Sequence, residues 1–203
     1  MRAQPKENYH HGDLRNALIQ TAIALLPQYG VAGLSMRAVA KAAGVSHAAP
    51  YRHFRDKTDL LESVAISGYA RLEEACQNAE RRNRDRPTRQ LFEAGMGYLS
   101  LVVEHPEMAH LMFSGVLSQE IRDKAIGQAI AEGSLARIIE NGKRLGTYAD
   151  KDTEDLILTA HACIHGIAMM ILGGLIKRPN SKRQLQALGE RIYDILLLGL
   201  LKR

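Results

Sequence analysis

The sequence predicts an all-α protein. A small N-terminal three-helix domain with a helix-turn-helix is joined by a long fourth helix to a larger helical domain, about nine helices in total. Two observations predict this. Apolar residues recur at three- and four-residue spacing through nearly the whole chain, with no alternating strand pattern. Gly, Pro, Asp and Ser then punctuate the chain at helix-sized intervals. With 203 residues, 46% hydrophobic and 24% charged, the chain is long enough to bury a real core.

Residues 1–12 read as a flexible basic arm, without the apolar stretch of a signal peptide. Leu14, Leu18, Ala22 and Leu25 mark one face of a first helix that ends at Gly30. Pro27 in its last turn predicts a kink, because it removes a backbone donor and disfavours helix at Leu26. Ser35 caps a short second helix over 36–43, and Gly44 stops it. Ser46 caps a third, running to about Phe54. Asp56, with Asp59 three residues on, opens a fourth that continues unbroken to about Arg82. The domain boundary is expected inside this helix, near residue 70, dividing 13–70 from 71–203. Further helices are expected over 88–104, from Pro106, over 118–144 and over 152–176, with 146–152 as a loop. Ser181 and Gln184 form a capping box for the last, which runs to the C-terminus.

The net charge is +5, and it is unevenly spread. Residues 1–60 hold eight Lys/Arg against four Asp/Glu, while the remaining 143 hold 19 against 18. Four of the eight His also lie in the first sixty residues. The excess positive charge therefore belongs to the N-terminal third, as expected if that third meets phosphates.

The stretch SMRAVAKAAGVSHAAPYRHFRDKTDLL, residues 35–61, reads as two short helices separated by Gly44-Val45-Ser46. Ala40 and Ala43 are small enough to let the helices cross closely, and Val39 and Val45 fill the wedge. A pair this compact can lay its second member in a DNA major groove, about 12 Å wide. The stretch closely resembles the tetracycline-repressor (TetR/AcrR) family, through Ser35, Val39-Ala40, Ala43-Gly44-Val45-Ser46, Tyr51, His53-Phe54, Lys57 and Leu60. The resemblance is specific over residues 12–61 and architectural beyond. Two positions depart from it: Ala38 stands where the family often has an acidic residue, and Pro50 where it often has Leu or Ile.

The resemblance makes the third helix the recognition helix, opening at Ser46, with His47, Ala48, Ala49, Tyr51, Arg52 and His53 facing DNA. Tyr51 and His53 carry donors suited to phosphates. Arg52 is the one long side chain able to read a guanine edge bidentately, with a phosphate as its alternative. Ala48 and Ala49 offer methyl contact to thymine. Lys57 matches the family's phosphate-binding Lys. Arg37 and the helix N-terminus at Ser35 are further phosphate sites.

The same resemblance makes 71–203 an effector-binding and dimerising domain. HPEMAHLMF (105–113) and HACIHGIAMM (161–170) look like a branch of the family whose C-terminal domain carries a Trp-His-Gly signature. His165-Gly166 match its last two members, and His161 takes the place of the missing Trp. Met96, Met108, Met112, His161, His165 and Met169 are the candidate ligand contacts, with Met170 beside them. Thioethers suit an adaptable apolar pocket, and ordinary core packing is the alternative for each.

His161 and His165 have the spacing of two zinc ligands on one helix face, so a metal-sensing regulator is one alternative reading. A metalloprotease is excluded, since Ala162 stands where the general base belongs. Leu156 to Ile176 carries no charge for 21 positions, which makes a membrane-anchored regulator the other alternative. A dimer accounts for the same run, because a helix buried on one face by its own domain and on another by a partner is apolar nearly all round. Leu185, Leu188, Ile192, Ile195 and Gly199 alternate by three and four, a bundle seam expected to pair with its copy.

Cys76 and Cys163 are far apart and suggest no disulfide scaffold, so a reducing cytoplasm is expected. No glycine-rich phosphate loop, nucleophile elbow or paired carboxylates point to an enzyme, and no cofactor or metal is expected. The expected partners are double-stranded DNA, a second copy of the chain and a small-molecule effector of unspecified identity, with no membrane. Together these describe a ligand-released repressor acting as a homodimer on a palindromic operator.

Overall fold

The computed structural model describes residues 11–113, 118–119 and 133–200, and every regular element among them is a helix. Residues 1–10 of the predicted arm, and 120–132 of the helix expected over 118–144, lie outside the described residues. The elements are α1 (His11–Gly33), α2 (Met36–Ala42), a 3₁₀ turn (Pro50–Arg52), α3 (Lys57–Arg82), α4 (Pro87–Glu104), α5 (Pro106–Phe113), α6 (Ser134–Arg144), α7 (Thr153–Leu172) and α8 (Lys182–Leu200).

Most helix starts are set by local chemistry. The Ser35 hydroxyl accepts from Ala38 N at 3.2 Å and opens α2. The Asp56 carboxylate accepts from Asp59 N at 2.9 Å, while Asp59 accepts from Arg55 N, a reciprocal cap for α3. Asp152 accepts from Glu154 N and Asp155 N at the head of α7. Ser181 accepts from Gln184 N, and the Gln184 side chain takes Asn180 N.

Two expectations near the N-terminus are corrected. The break in α1 is at Gly30 (φ 63°), the single non-helical residue inside it, and not at Pro27. A proline ring without an N–H is tolerated there, and glycine alone adopts the left-handed turn at no steric cost. The helix expected from Ser46 to Phe54 is only the 3₁₀ turn Pro50–Arg52, whose cap position is Ala49. Pro50 cannot donate to the Ser46 carbonyl, which instead accepts from Ala49 N at 3.0 Å. The missing bond leaves i→i+3 closure in charge, so an α-helix does not propagate.

One core runs without interruption from α1, α2 and the head of α3 into α4 and α5, through Leu18, Val39, Phe54, Leu60, Leu99, Met108 and Met112. The predicted boundary near residue 70 thus falls within packed side chains. Gly68 permits this: a Cβ there would lie 2.2 Å from Met112 Sδ, so α5 docks directly on the α3 backbone. A second core, around Ile138, Ile139, Tyr148 and Ile157, joins α6 and α7 to α4.

Helix α7 is the one helix among the described residues long and apolar enough to cross a membrane by length and composition. Its Leu156, Ile157, Ala160, Ala168 and Ile171 are buried in the protein, while Leu158 is 62% exposed. The seam expected on α8 is largely internal. Leu185 is 6% exposed and packed in the chain's own core, with Leu188 against it. Ile192 turns inward as well, and Ile195, at 73%, faces out. A three-four repeat marks a buried stripe, and here α4 of the same chain buries most of it.

Candidate nucleic-acid interface and apolar cavity

Helix α2 ends in a tight reversal. Gly44 has φ 70°, Val45 N donates to Ala40 O at 3.0 Å, and Gly44 N donates to Lys41 O at 3.2 Å. This pair of bonds is a Schellman motif, and it delivers the chain to the 3₁₀ turn. Val39 and Ala40 are fully buried beneath, while Ser35, Arg37, Lys41, Ser46, His47, Ala48, Tyr51, Arg52 and Arg55 are exposed. Ala49 and His53 are half-buried. Beneath the turn, Phe54 is 1% exposed, and the Arg15 guanidinium lies 5.1 Å over its ring while donating to Ser63 Oγ at 2.8 Å. Arg15 thereby ties α1 to α3 under the exposed face. Lys57 Nζ donates to the Ala32 carbonyl at 2.7 Å, at the negative end of α1. Two ammonium donors remain for an outside acceptor.

A cavity of about 80 Å³ opens between α3, α4, α6, α7 and α8. Leu91, Phe92, Leu99 and Ala160 of its lining are buried, and His161 and Cys163 are exposed. Among the described residues, no Asp, Glu, Lys or Arg lines it. Tyr98 is its polar landmark: the phenol is bonded to His165 Nδ1 at 2.8 Å, and Phe113 stacks on its ring at 6.1 Å. Burial lowers the pKa of His165, and burial together with its neighbour His165 lowers that of His161. Burial also raises the pKa of the Tyr98 phenol. Both imidazoles are therefore neutral near pH 7, and Tyr98 stays a protonated phenol hydrogen-bonded to His165 Nδ1. Burial and the carboxylates of Glu73 and Glu80 push the Cys76 thiol up to about 12, which makes it an unreactive wall residue.

The model of bacterial regulatory proteins of the tetR family matches residues 18–64. Over these residues the chain is similar to the tetR family. A stretch of 52 residues is 40% identical to the HTH-type transcriptional regulator AcrR of Shigella flexneri, 26% of this chain and 24% of that one. The chain thus matches about a quarter of that regulator's length. Over its whole length it is similar to a solved protein of unknown function from Rhodococcus sp. RHA1, at 31% identity and a TM-score of 0.74, covering 97% of this chain and 100% of that one. A tetR-family transcriptional regulator from Pectobacterium atrosepticum shares the fold at 23% identity and a TM-score of 0.71, covering 95% of this chain and 96% of that one.

Of the tetR-type surface residues expected from the sequence, the structure brings Ser35, Arg37, Ser46, His47, Ala48, Ala49, Tyr51, Arg52, His53 and Lys57 into one region around α2 and the 3₁₀ turn. The expected ligand contacts separate. Met96 and His161 line the cavity. Met108 and Met112 are buried in the core beneath α5 and are not free to meet a ligand. His165 stands behind Tyr98, and Met169 packs against the core away from the lining. Among the described residues, no group of three or more His, Cys, Asp or Glu is placed to hold a metal ion.

Sequence reasoning missed Tyr98, Phe113 and Arg71. Arg71 on α3 donates to Gln20 of α1 at 2.8 Å and meets His105 Nε2, between α4 and α5, at 3.0 Å. The signal for Tyr98 was the Gly95-x-Gly97 pair: a Cβ on Gly97 would lie 2.5 Å from Ala75 Cβ, so α3 and α4 cross closely there.

Proposed function

We propose that the protein is a ligand-released repressor, a homodimer that reads a palindromic operator with α2 and the following 3₁₀ turn. The observation that carries this reading is the contrast of its two open surfaces. Around the turn the exposed groups include the cations Arg37, Lys41, Arg52 and Arg55 and the hydroxyls of Ser35, Ser46 and Tyr51, and they surround a reversal held by Val39, Ala40 and Phe54. Along α7 and α8 four large apolar side chains, Leu158, Met170, Ile195 and Leu198, turn outward among charged neighbours such as Glu190, Arg191 and Asp194. The first surface suits phosphates and base edges; the second suits a copy of itself.

Dimerisation sets the distance between the two reading heads, which must be roughly 34 Å for successive major-groove half-sites. Effector binding acts on that distance. The cavity wall at Tyr98 contacts Phe113 at the end of α5, and Tyr69 on α3 donates to the Met112 carbonyl at 3.0 Å. Arg71 continues the path to Gln20 of α1. A ligand that binds better when these contacts are shifted lowers DNA affinity by that difference and no more. The branch with a Trp-His-Gly signature remains our reading of the C-terminal domain, since His161, a small ring in the Trp position, stands at the cavity.

Selection of bound fragments from random duplexes, followed by footprinting, tests the reading. It expects two inverted half-sites one helical turn apart, each protected by one subunit. A single half-site protected by a monomer contradicts it.

A further inference from the structure

We propose that the cavity between α4, α7 and α8 receives an uncharged, largely apolar molecule of about one ring in size that carries a single hydrogen-bonding group, read by His161. This rests on the effector reading above and names the class of effector.

Three observations converge. The lining has no formal charge among the described residues, so an anion or a cation entering it would lose its hydration without gaining a counterion there. The ring nitrogens of His161 have no hydrogen-bond partner among the described residues; its neighbours are Tyr98, edge-on at 5.8 Å, and His165, stacked at 5.6 Å. A neutral imidazole offers one donor and one acceptor, so a hydroxyl, carbonyl or amide satisfies it. His161 is exposed while Leu91 and Phe92 of the same lining are buried, which orients the occupant with its apolar body inward.

Size follows from the walls. At about 80 Å³ the cavity is smaller than the roughly 150 Å³ that holds a benzene ring. The adjustable wall is Met96, whose Sδ lies 2.2 Å from where a Cβ on Gly189 would be, so its thioether rests directly against the α8 backbone. One ring enters by moving this unbranched side chain. The displaced thioether presses on α8, which links occupancy to the outward face of that helix.

Titration calorimetry of the full-length protein at pH 7.5, without DNA, tests this with four probes: benzyl alcohol, toluene, benzoate and benzylammonium. The expected order has benzyl alcohol tightest, toluene weaker by roughly tenfold for the lost hydrogen bond, and both ions weaker still. His161→Phe keeps a ring at the mouth and should erase the preference for the alcohol while leaving toluene bound. Gly95→Leu should fill the cavity and abolish binding of all four; a Cβ at Gly95 meets only Ile164, at an ordinary 3.5 Å. Benzoate binding as tightly as benzyl alcohol overturns the proposal. So does an unchanged alcohol preference in His161→Phe, or no binding of either neutral probe at millimolar concentration. Because DNA is absent, these failures would leave the operator reading standing. Probes that bind in the expected order yet leave operator affinity unchanged would support the site and refute its regulatory role.

Discussion

The two open surfaces of this molecule differ in what they expose and in what they rest on. The N-terminal reading surface exposes Arg37, Lys41, His47, Tyr51, Arg52 and Arg55 over side chains that are almost wholly buried. The α7–α8 surface exposes Leu158, Ile195 and Leu198 beside a cavity that is incompletely filled. One surface is polar over a rigid base, and the other is apolar over a deformable one. A polyanion is met best by fixed cations, since ordering flexible ones costs entropy. A regulated subunit contact works best on a base that can shift. The difference teaches that sensing and reading are separated by rigidity as well as by position.

The largest effect should come from removing the rigid base. Phe54→Ala takes away the side chain beneath the turn and the ring under Arg15, at a cost of about 3–5 kcal/mol. A denaturant melt should show this loss, with the reading surface failing first. An equal loss for Ser46→Ala, which is exposed, would break the claim that the base holds the turn.

Next in size is the apolar surface. Leu158→Glu combined with Ile195→Glu should weaken dimerisation by at least about a hundredfold, or roughly 2.7 kcal/mol. Sedimentation would report the mass. The variant should keep its helical content, because both side chains are already exposed in the single chain. Ile192→Glu should behave differently, losing ligand response before it loses the dimer, since Ile192 lines the cavity.

Arg52→Ala and Lys57→Ala sharpen the comparison within the reading surface. Loss of Arg52 should cost about 1–3 kcal/mol and relax preference at one position per half-site. Loss of Lys57 should weaken all duplexes alike and flatten the salt slope. Equal, sequence-independent losses would refute base reading by Arg52. Pro50→Leu restores a backbone donor opposite the Ser46 carbonyl and should convert the 3₁₀ turn to an α-helix. The gain should be about 1 kcal/mol, visible as added helical ellipticity.

The smallest effect is on pH. His105, His161 and His165 all have pKa values lowered chiefly by burial, with Arg71 adding to the shift at His105. Below the ordinary value, about 6.5, the unfolded chain binds protons that the folded chain refuses, so stability rises with pH in that window. The melting temperature should be flat above it and fall by a few degrees between pH 7 and pH 5. Replacing His165 with Asn should shallow that fall.

The caps at Ser35, Asp56 and Ser181 and the stop at Gly44 were legible because each is decided within four residues. The 3₁₀ turn was expected as an α-helix because its apolar spacing and Ser46 cap suit one, but Pro50 removes a bond and a helix of two turns has few to spare. The α8 seam was misassigned for another reason. A repeat of three and four tells which side of a helix is buried, and says nothing of whether α4 or a second chain does the burying. Contacts between distant positions were beyond reach altogether. Glu73 accepts from Ser134 N at 3.2 Å and from Ser134 Oγ at 2.6 Å, holding the start of α6 to α3 across 61 residues, and no local pattern announces it.

The central claim is that this chain reads DNA as a sequence-specific dimer, and fluorescence anisotropy across a salt series tests it most directly. A selected palindromic duplex is compared with a scrambled duplex of the same length and composition. The account predicts one dimer bound per duplex and an affinity for the palindrome at least about 10³-fold above that for the scramble. Log affinity should fall linearly with log salt for both. Equal affinity for the two duplexes at every salt concentration would contradict it.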